Sequence, residues 1–113
     1  MKPENQIFEG RELIQLQVGV YQLLFAFEGD VALSVESTVH FEVEAHNGEW
    51  LPENPQSAAS LTAFVGKKVE RVEEGSGNDL RLIFLEGGTL AVSGKAAYGE
   101  AYQITSPSGV YVV

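Results

Sequence analysis

The stretch Val31–Ala45 reads VALSVESTVHFEVEA, and it decides the fold because apolar and polar residues alternate along it almost without a break. A period of two places alternate side chains on opposite faces of a β-strand, one toward the core and one toward water. An unbroken strand of this length would extend roughly 50 Å, at about 3.3 Å per residue, which exceeds the width of a small domain. We therefore predict that the stretch bends or breaks, with the corner near Ser37.

Strand patterns also precede this stretch. Leu13–Val18 and Tyr21–Phe27 carry apolar residues at alternate positions, and Glu28–Asp30 has the composition of a turn. Residues 13–45 are therefore predicted to form a first β unit. The polar residues 1–6 are predicted to be a flexible N-terminus.

Residues 46–66 are predicted to form a loop followed by one short helix. Pro52 and Pro55 cannot donate to the hydrogen-bond ladder of a central strand, so residues 46–55 are interpreted as a loop. Asn54 and Pro55 suit the N-cap and first position of a helix, and Gly66 suits its end. The predicted helix therefore covers about residues 55–65.

Residues 67–113 repeat the pattern of short strands separated by turns, and they are predicted to form a second β unit. Within them, Leu80–Val92 parallels Leu23–Val35, which suggests an internal duplication. The predicted fold is mostly β (α+β): two related antiparallel β-meanders forming a small barrel or sandwich with one short helix. At 113 residues the chain is expected to be a single domain, residues 1–113.

Charge is distributed unevenly in this acidic chain. The net charge is −9, and residues 12–66 contain eight acidic residues but no Lys or Arg. Such a surface repels phosphate backbones, so we expect no nucleic acid partner and favour a basic protein. The chain has no Cys, no apolar run long enough for a membrane span and no signal-peptide pattern near Met1. A cytoplasmic protein without membrane association is therefore predicted.

Several segments resemble a family of small uncharacterised bacterial proteins built from tandem β-hairpin units. They are a helix end at Val65–Val69, a Leu-x-Leu-x-Phe strand at Leu80–Phe84, an acidic Gly-Gly turn at Glu86–Gly88 and a Tyr-x-Glu-x-Tyr strand at Tyr98–Tyr102. The resemblance covers most of the chain and implies a fold but no reaction. A looser similarity exists to immunity proteins of bacterial toxin systems, which are small, acidic, cysteine-poor and cytoplasmic.

The one cluster of His and carboxylate residues is His40-x-Glu42-x-Glu44-x-His46. On a continuous strand these four side chains would share one face at about 6.6 Å spacing, where imidazole and carboxylate groups could share a divalent cation. The simpler interpretation is a solvated strand face, because the intervening residues are apolar. Glu42 and Glu44 do not suit acid–base catalysis, since neighbours on one strand point in parallel.

Two further residues have two interpretations each. Trp50 is either an aromatic anchor for a partner or a clamp that holds its loop on the core. Glu100 either faces water at an edge or is buried with a hydrogen-bond partner, because an unpaired buried carboxylate is costly.

No catalytic residues and no cofactor are predicted. We therefore expect a noncatalytic binding protein, of the immunity-inhibitor type, that docks a basic protein through its acidic first half, with Glu36, Glu42, Glu44 and Trp50 as binding residues. One alternative is a small-molecule or metal-binding domain, enzymatic or not, with His40, Glu42, Glu44 and His46 as ligands. Another is a structural homodimer paired through edge strands.

Overall fold

The computed structural model describes residues 2–97 and 99–113, and it contains two five-stranded antiparallel sheets. Alternate residues of the six inner strands are buried between the sheets, as the alternation in sequence predicts, and the mostly β prediction is confirmed. The elements are α1 (Pro3–Gln6), β1 (Leu13–Gly19), β2 (Gln22–Phe27), β3 (Val31–Val35), β4 (Val39–Val43), β5 (His46–Trp50), a 3₁₀ helix (Pro55–Phe64), β6 (Val69–Glu74), a 3₁₀ turn (Ser76–Asn78), β7 (Leu80–Phe84), β8 (Thr89–Val92), β9 (Tyr102–Ser106) and β10 (Gly109–Val112).

The two sheets exchange hairpins. The first sheet has the strand order β1-β2-β3-β9-β10, and the second has the order β5-β4-β8-β7-β6. Each sheet therefore combines a three-stranded meander from one half of the chain with a two-stranded hairpin from the other half. Neither half completes a sheet alone, so the two halves depend on each other for a closed core.

The two halves are related in register as well as in order. Leu33 of β3 pairs with Ile104 of β9, and at the corresponding place Leu90 of β8 pairs with Phe41 of β4. The register also shifts at corresponding points, between Leu13 and Gln15 in β1 and between Val69 and Arg71 in β6. Each position of the first sheet thus has a counterpart in the second.

The two halves also contact each other symmetrically where β1 approaches β6. The amide of Gly10 donates to the carbonyl of Val69 at 2.8 Å, and the amide of Gly66 donates to that of Leu13 at 2.8 Å. Corresponding aromatic pairs pack beneath these strands, with ring centroids 5.1 Å apart for Phe8–Phe27 and 4.9 Å apart for Phe64–Phe84.

The predicted corner at Ser37 is confirmed. Strand β3 ends at Val35 in the first sheet, and β4 begins at Val39 in the second. Ser37 is buried between them, and its hydroxyl donates to the carbonyl of Ser93 at 2.8 Å. The long alternating stretch is therefore two short strands that keep one inward face while they change sheets.

The predicted helix near residues 55–65 is present as a 3₁₀ helix. Its buried residues are Ala58, Leu61 and Phe64. This spacing of three matches the three residues per turn of a 3₁₀ helix, so one row of side chains faces the core. Gly66 follows it with a φ of 94°, a left-handed conformation that suits glycine.

Three segments differ from the sequence prediction. Residues 46–50, predicted as part of a loop, form strand β5, and the chain turns before them at Glu44, which has a φ of 57°. The predicted flexible terminus contains the helical turn α1, in which Asn5 is buried. The last long strand begins at Tyr102, so Glu100 lies outside it and is exposed; the predicted start at Tyr98 lies outside the described residues.

Candidate functional site

The clearest charged feature is the acidic hairpin, which we define as β4, β5 and the turn between them (Val39–Trp50). Glu42, Glu44 and Glu49 are exposed on it. The hairpin forms because apolar residues alternate along β4 while the left-handed turn at Glu44 reverses the chain. Strand β5 is the outer strand of the second sheet, so the carboxylates lie along a sheet edge.

The outward face of the acidic hairpin combines carboxylates with one imidazole. His40 pairs across the strands with Glu49, and His40 Nδ1 lies 3.4 Å from Glu49 Oε2. Glu42 pairs with Asn47 on the same face. Both side chains are exposed, so their contact contributes little to stability and leaves both groups available to a partner.

Arg71 and Arg81 lie on β6 and β7 of the second sheet, and Arg81 lines a cavity of about 330 Å³ together with His40 and Glu42 of the acidic hairpin. Arg71 lies 3.4 Å from a carboxylate oxygen of Glu73 and 3.7 Å from one of Glu70, and Arg81 lies 3.8 Å from another of Glu73. Among the described residues, no Lys or Arg forms an ion pair with Glu42, Glu44 or Glu49. In the part of the chain that the structure describes, these three carboxylates therefore have no Lys or Arg at ion-pair distance.

Glu36 does not belong to the acidic hairpin. It is exposed at the corner between β3 and β4, where it lines a cavity of about 540 Å³. Glu53 and Lys95 also line this cavity, with Tyr21 and Pro52. The structure therefore separates the predicted binding residues, with Glu42 and Glu44 at one edge and Glu36 at a cavity.

Sequence reasoning did not single out this cavity, which is lined on one side by Tyr21 of the two-residue turn Val20–Tyr21. Tyr21 has a φ of 60°, which for a bulky residue costs of order 1 kcal/mol or more and is typical of functional positions. Val20 and Tyr21 are 83% and 59% exposed, and a neighbouring cavity of about 400 Å³ extends from them to Pro52 and Pro55. The one signal in the sequence is an apolar pair at a turn position that usually takes Gly or Asn.

Trp50 is not an exposed anchor. It lies at the end of β5 opposite Val39, and it is fully buried. Its indole N–H has no hydrogen-bond partner among the described residues. The side chain therefore fills the core and holds the acidic hairpin against it, which corrects the interpretation of Trp50 as a binding residue and supports the clamp.

The predicted metal ligands do not share one strand face. Strand β4 ends at Val43, Glu44 lies in the turn, and His46 on β5 pairs with Val43, whose side chain faces the core side. His40 and Glu42 point the other way, because they alternate with the buried Phe41. Within residues 2–97 and 99–113, no group of three or more His, Asp and Glu side chains is placed to hold a metal ion. The geometry assumed for His40, Glu42, Glu44 and His46 is thus corrected by the hairpin turn.

A polar cluster fastens the N-terminal segment to both sheets. Lys2 donates from Nζ to the hydroxyl of Tyr111 at 3.0 Å, and this bond raises the lysine pKa. Asn5 donates to the carboxylate of Glu74, which lowers the pKa of that carboxyl. Tyr102 donates to the carbonyl of Asn78 at 2.8 Å, and burial raises the pKa of this tyrosine to about 12. The bonds of Lys2 and Asn5 hold the helical turn α1 against both sheets.

The fold and these surfaces define a small two-sheet β protein with one acidic sheet edge, and no described helix is long and apolar enough to cross a membrane. The profile of a family of unknown function, DUF6188, matches residues 5–113, so the chain belongs to this family. The predicted resemblance to an uncharacterised family is therefore confirmed at that level. No curated protein and no solved structure gives a significant match to the chain.

Proposed function

We propose that this protein is a noncatalytic binding module that docks a basic protein through the acidic hairpin. The observation that carries the proposal is the group formed by Glu42, Glu44 and Glu49, exposed at a sheet edge with no Lys or Arg partner among the described residues. A field of one sign at an exposed edge attracts an oppositely charged partner and speeds its association.

The edge strand itself supports the proposal. Strand β5 pairs only with β4 in its sheet, so its outer side presents main-chain N–H and C=O groups. An extended segment of a partner adds to such an edge by main-chain hydrogen bonds, while its side chains meet those of the edge. A segment with Lys or Arg at alternate positions would place its cations near Glu49 of β5 and Glu42 of β4.

In this proposal the protein is bacterial and cytoplasmic, and it acts as immunity proteins of toxin systems do, by covering a basic surface. A toxin that binds nucleic acid has such a surface, because it must attract phosphates. The acidic hairpin would then compete with nucleic acid for the same cations.

Charge-reversal variants test the proposal. The variant Glu42→Lys/Glu44→Lys changes the acidic hairpin, and Glu70→Lys/Glu86→Lys makes the same charge change in the second half. The control is matched in geometry, since Glu86 also lies in a turn with a positive φ, of 72°. The full chain is used to capture partners from a host lysate, and association rates of a purified partner are measured against salt.

The expected partner is a basic protein whose association rate falls at least about tenfold between low and high salt. The hairpin variant should abolish capture, and the control should retain it. An acidic or neutral partner, salt-independent association, or equal loss in both variants would reject the proposal.

A second candidate function is binding of a small cationic molecule in the cavity beside Glu36. The cavity of about 540 Å³ combines the ring of Tyr21 with the carboxylates of Glu36 and Glu53, which outnumber its one cationic side chain, Lys95. Apolar walls with a few convergent polar groups are typical of ligand sites. Thermal stabilisation by amphipathic amines that is lost in Glu36→Gln would support this candidate, and no stabilisation by any of them would reject it.

A further inference from the structure

The outward face of the first sheet differs from the rest of the surface, because it carries no ionisable side chain. Strand pairing aligns its residues in rows that cross all five strands. We name this surface the neutral face. Its residues are Gln15, Gln17, Leu24, Ala26, Ala32, Ser34, Gln103, Thr105, Val110 and Val112.

The second sheet provides an internal comparison, since its strands repeat the register of the first. Its ten counterpart positions include six ionisable residues. In the same order the counterparts are Arg71, Glu73, Arg81, Ile83, Thr89, Ala91, His40, Glu42, Asn47 and Glu49. The scaffold therefore does not require an uncharged outer face, and the absence of charge on the first sheet needs another cause.

The neutral face is also partly apolar, and its central side chains are small. Val110 and Val112 are 60% and 46% exposed on β10, while Leu24 and Ala26 lie half-exposed on β2. The central strand β3 presents only Ala32 and Ser34. Small central side chains allow a second sheet to approach to the spacing of about 10 Å that is typical of stacked sheets.

We propose that the neutral face is the surface through which two copies of this chain associate, sheet against sheet. The net charge of −9 favours this face for contact with a second copy, because two copies repel each other wherever their carboxylates come together. Among the outer sheet faces, this one brings two copies together without placing like charges in contact. A basic partner gains nothing at a face without carboxylates, and it is drawn instead to the acidic hairpin.

Contact between the faces suits self-association better than strand pairing through the β5 or the β10 edge. At the β5 edge, two copies would bring Glu49 of each chain into the same ladder, and like charges across strands destabilise it. The β10 edge has only four residues, Gly109–Val112. The neutral face spans five strands at about 4.8 Å each, roughly 24 Å in width.

The expected dimer is weak. Two outward residues per strand at about 7 Å spacing give each copy a footprint on the order of 400 Å². The total is below the roughly 1,200 Å² of a stable interface, so we expect rapid exchange between monomer and dimer at micromolar to millimolar concentration. Salt should strengthen this dimer by screening the repulsion between copies, whereas it should weaken docking of a basic partner.

Sedimentation equilibrium of the full chain from about 10 μM to about 1 mM tests the proposal, in low and high salt. The variants Ser34→Glu and Ser34→Lys place a charge of either sign at the centre of the neutral face. The matched control is Ala91→Glu, at the counterpart position of the second sheet. Thermal unfolding of each variant verifies that it is folded.

Wild type and Ala91→Glu should dimerise with rising concentration and more strongly in high salt, and both Ser34 variants should lower the association constant at least about tenfold. A wild-type protein that stays monomeric throughout would overturn the proposal. Equal loss of association in Ala91→Glu, or association that salt weakens, would overturn it as well. None of these outcomes depends on whether the acidic hairpin binds a basic protein.

Discussion

Ser37 donates its hydroxyl to the carbonyl of Ser93 across 2.8 Å, and this bond joins the two places at which the chain leaves one sheet for the other. Ser37 lies between β3 and β4, and Ser93 follows β8 at the start of the passage to β9. The amide of Ser93 in turn donates to the carbonyl of Thr38 at 3.0 Å. The exchanged hairpins are thus fixed to each other where they cross.

Replacing Ser37 by Ala should destabilise the fold by about 1–2 kcal/mol, because it removes a hydrogen bond made by a buried hydroxyl. Urea unfolding measures this change. Ser57→Ala is the control, since Ser57 makes a local, exposed bond to the carbonyl of Asn54 at 2.7 Å, and its loss should cost less than about 0.5 kcal/mol. Equal effects of the two substitutions would contradict the role assigned to the corner.

Much of this architecture was accessible from sequence. The alternating stretch Val31–Ala45 is too long for one strand of a small domain, so its length alone required a break. Ser37 marks the position of the break, because it interrupts the apolar residues at odd positions. The exchange of hairpins was not accessible, because it depends on which strands pair across the corner. Local patterns determine which face of a strand is buried, while pairing partners are determined by the whole core.

Trp50 should behave as a core residue. Because it is fully buried, its fluorescence should resist quenching by iodide in the folded protein, and Trp50→Ala should destabilise the fold by about 3–5 kcal/mol. Trp50→Phe should cost less, since it also removes an indole N–H that lacks a partner among the described residues. Loss of partner binding in Trp50→Phe with unchanged stability would instead identify an anchor.

The candidate site was harder to predict than the fold, for a local reason. Asn47-Gly48 has the composition of a turn, yet the chain turns at Glu44, whose left-handed φ has no signature in its residue type. Moving the turn by a few residues separates His46 from His40 and Glu42. The apolar pair Val20–Tyr21 was missed because two residues of one turn carry no periodicity.

Tyr102 should make the fold sensitive to alkali. Its pKa in the folded protein is raised to about 12 from the ordinary 10.0, chiefly by burial. Because the pKa of Tyr102 is higher in the folded than in the unfolded chain, the unfolded chain loses this proton first as pH rises. The contribution of Tyr102 to the free energy of unfolding is therefore fully present below pH 10.0 and is lost as pH rises toward 12. Urea unfolding across this range should show a shallower alkaline decline for Tyr102→Phe than for wild type. Tyr21→Phe, at an exposed turn, should leave the decline unchanged, and an identical slope for Tyr102→Phe would reject the assignment.

Glu74 should make the fold sensitive to acid, through its bond from the side-chain amide of Asn5. That bond is the largest cause of a folded pKa below the ordinary 4.5. A lowered folded pKa gives stability that is present above pH 4.5 and is lost as pH falls through the folded value. The variant Asn5→Ala should therefore remove part of the decline in unfolding free energy below pH 4.5, as well as lowering stability at neutral pH. Glu53→Gln removes an exposed carboxylate elsewhere and should leave the acid decline as in wild type. If Asn5→Ala shifts stability equally at every pH, Asn5 acts by packing alone and the link between the N-terminal turn and Glu74 is not electrostatic.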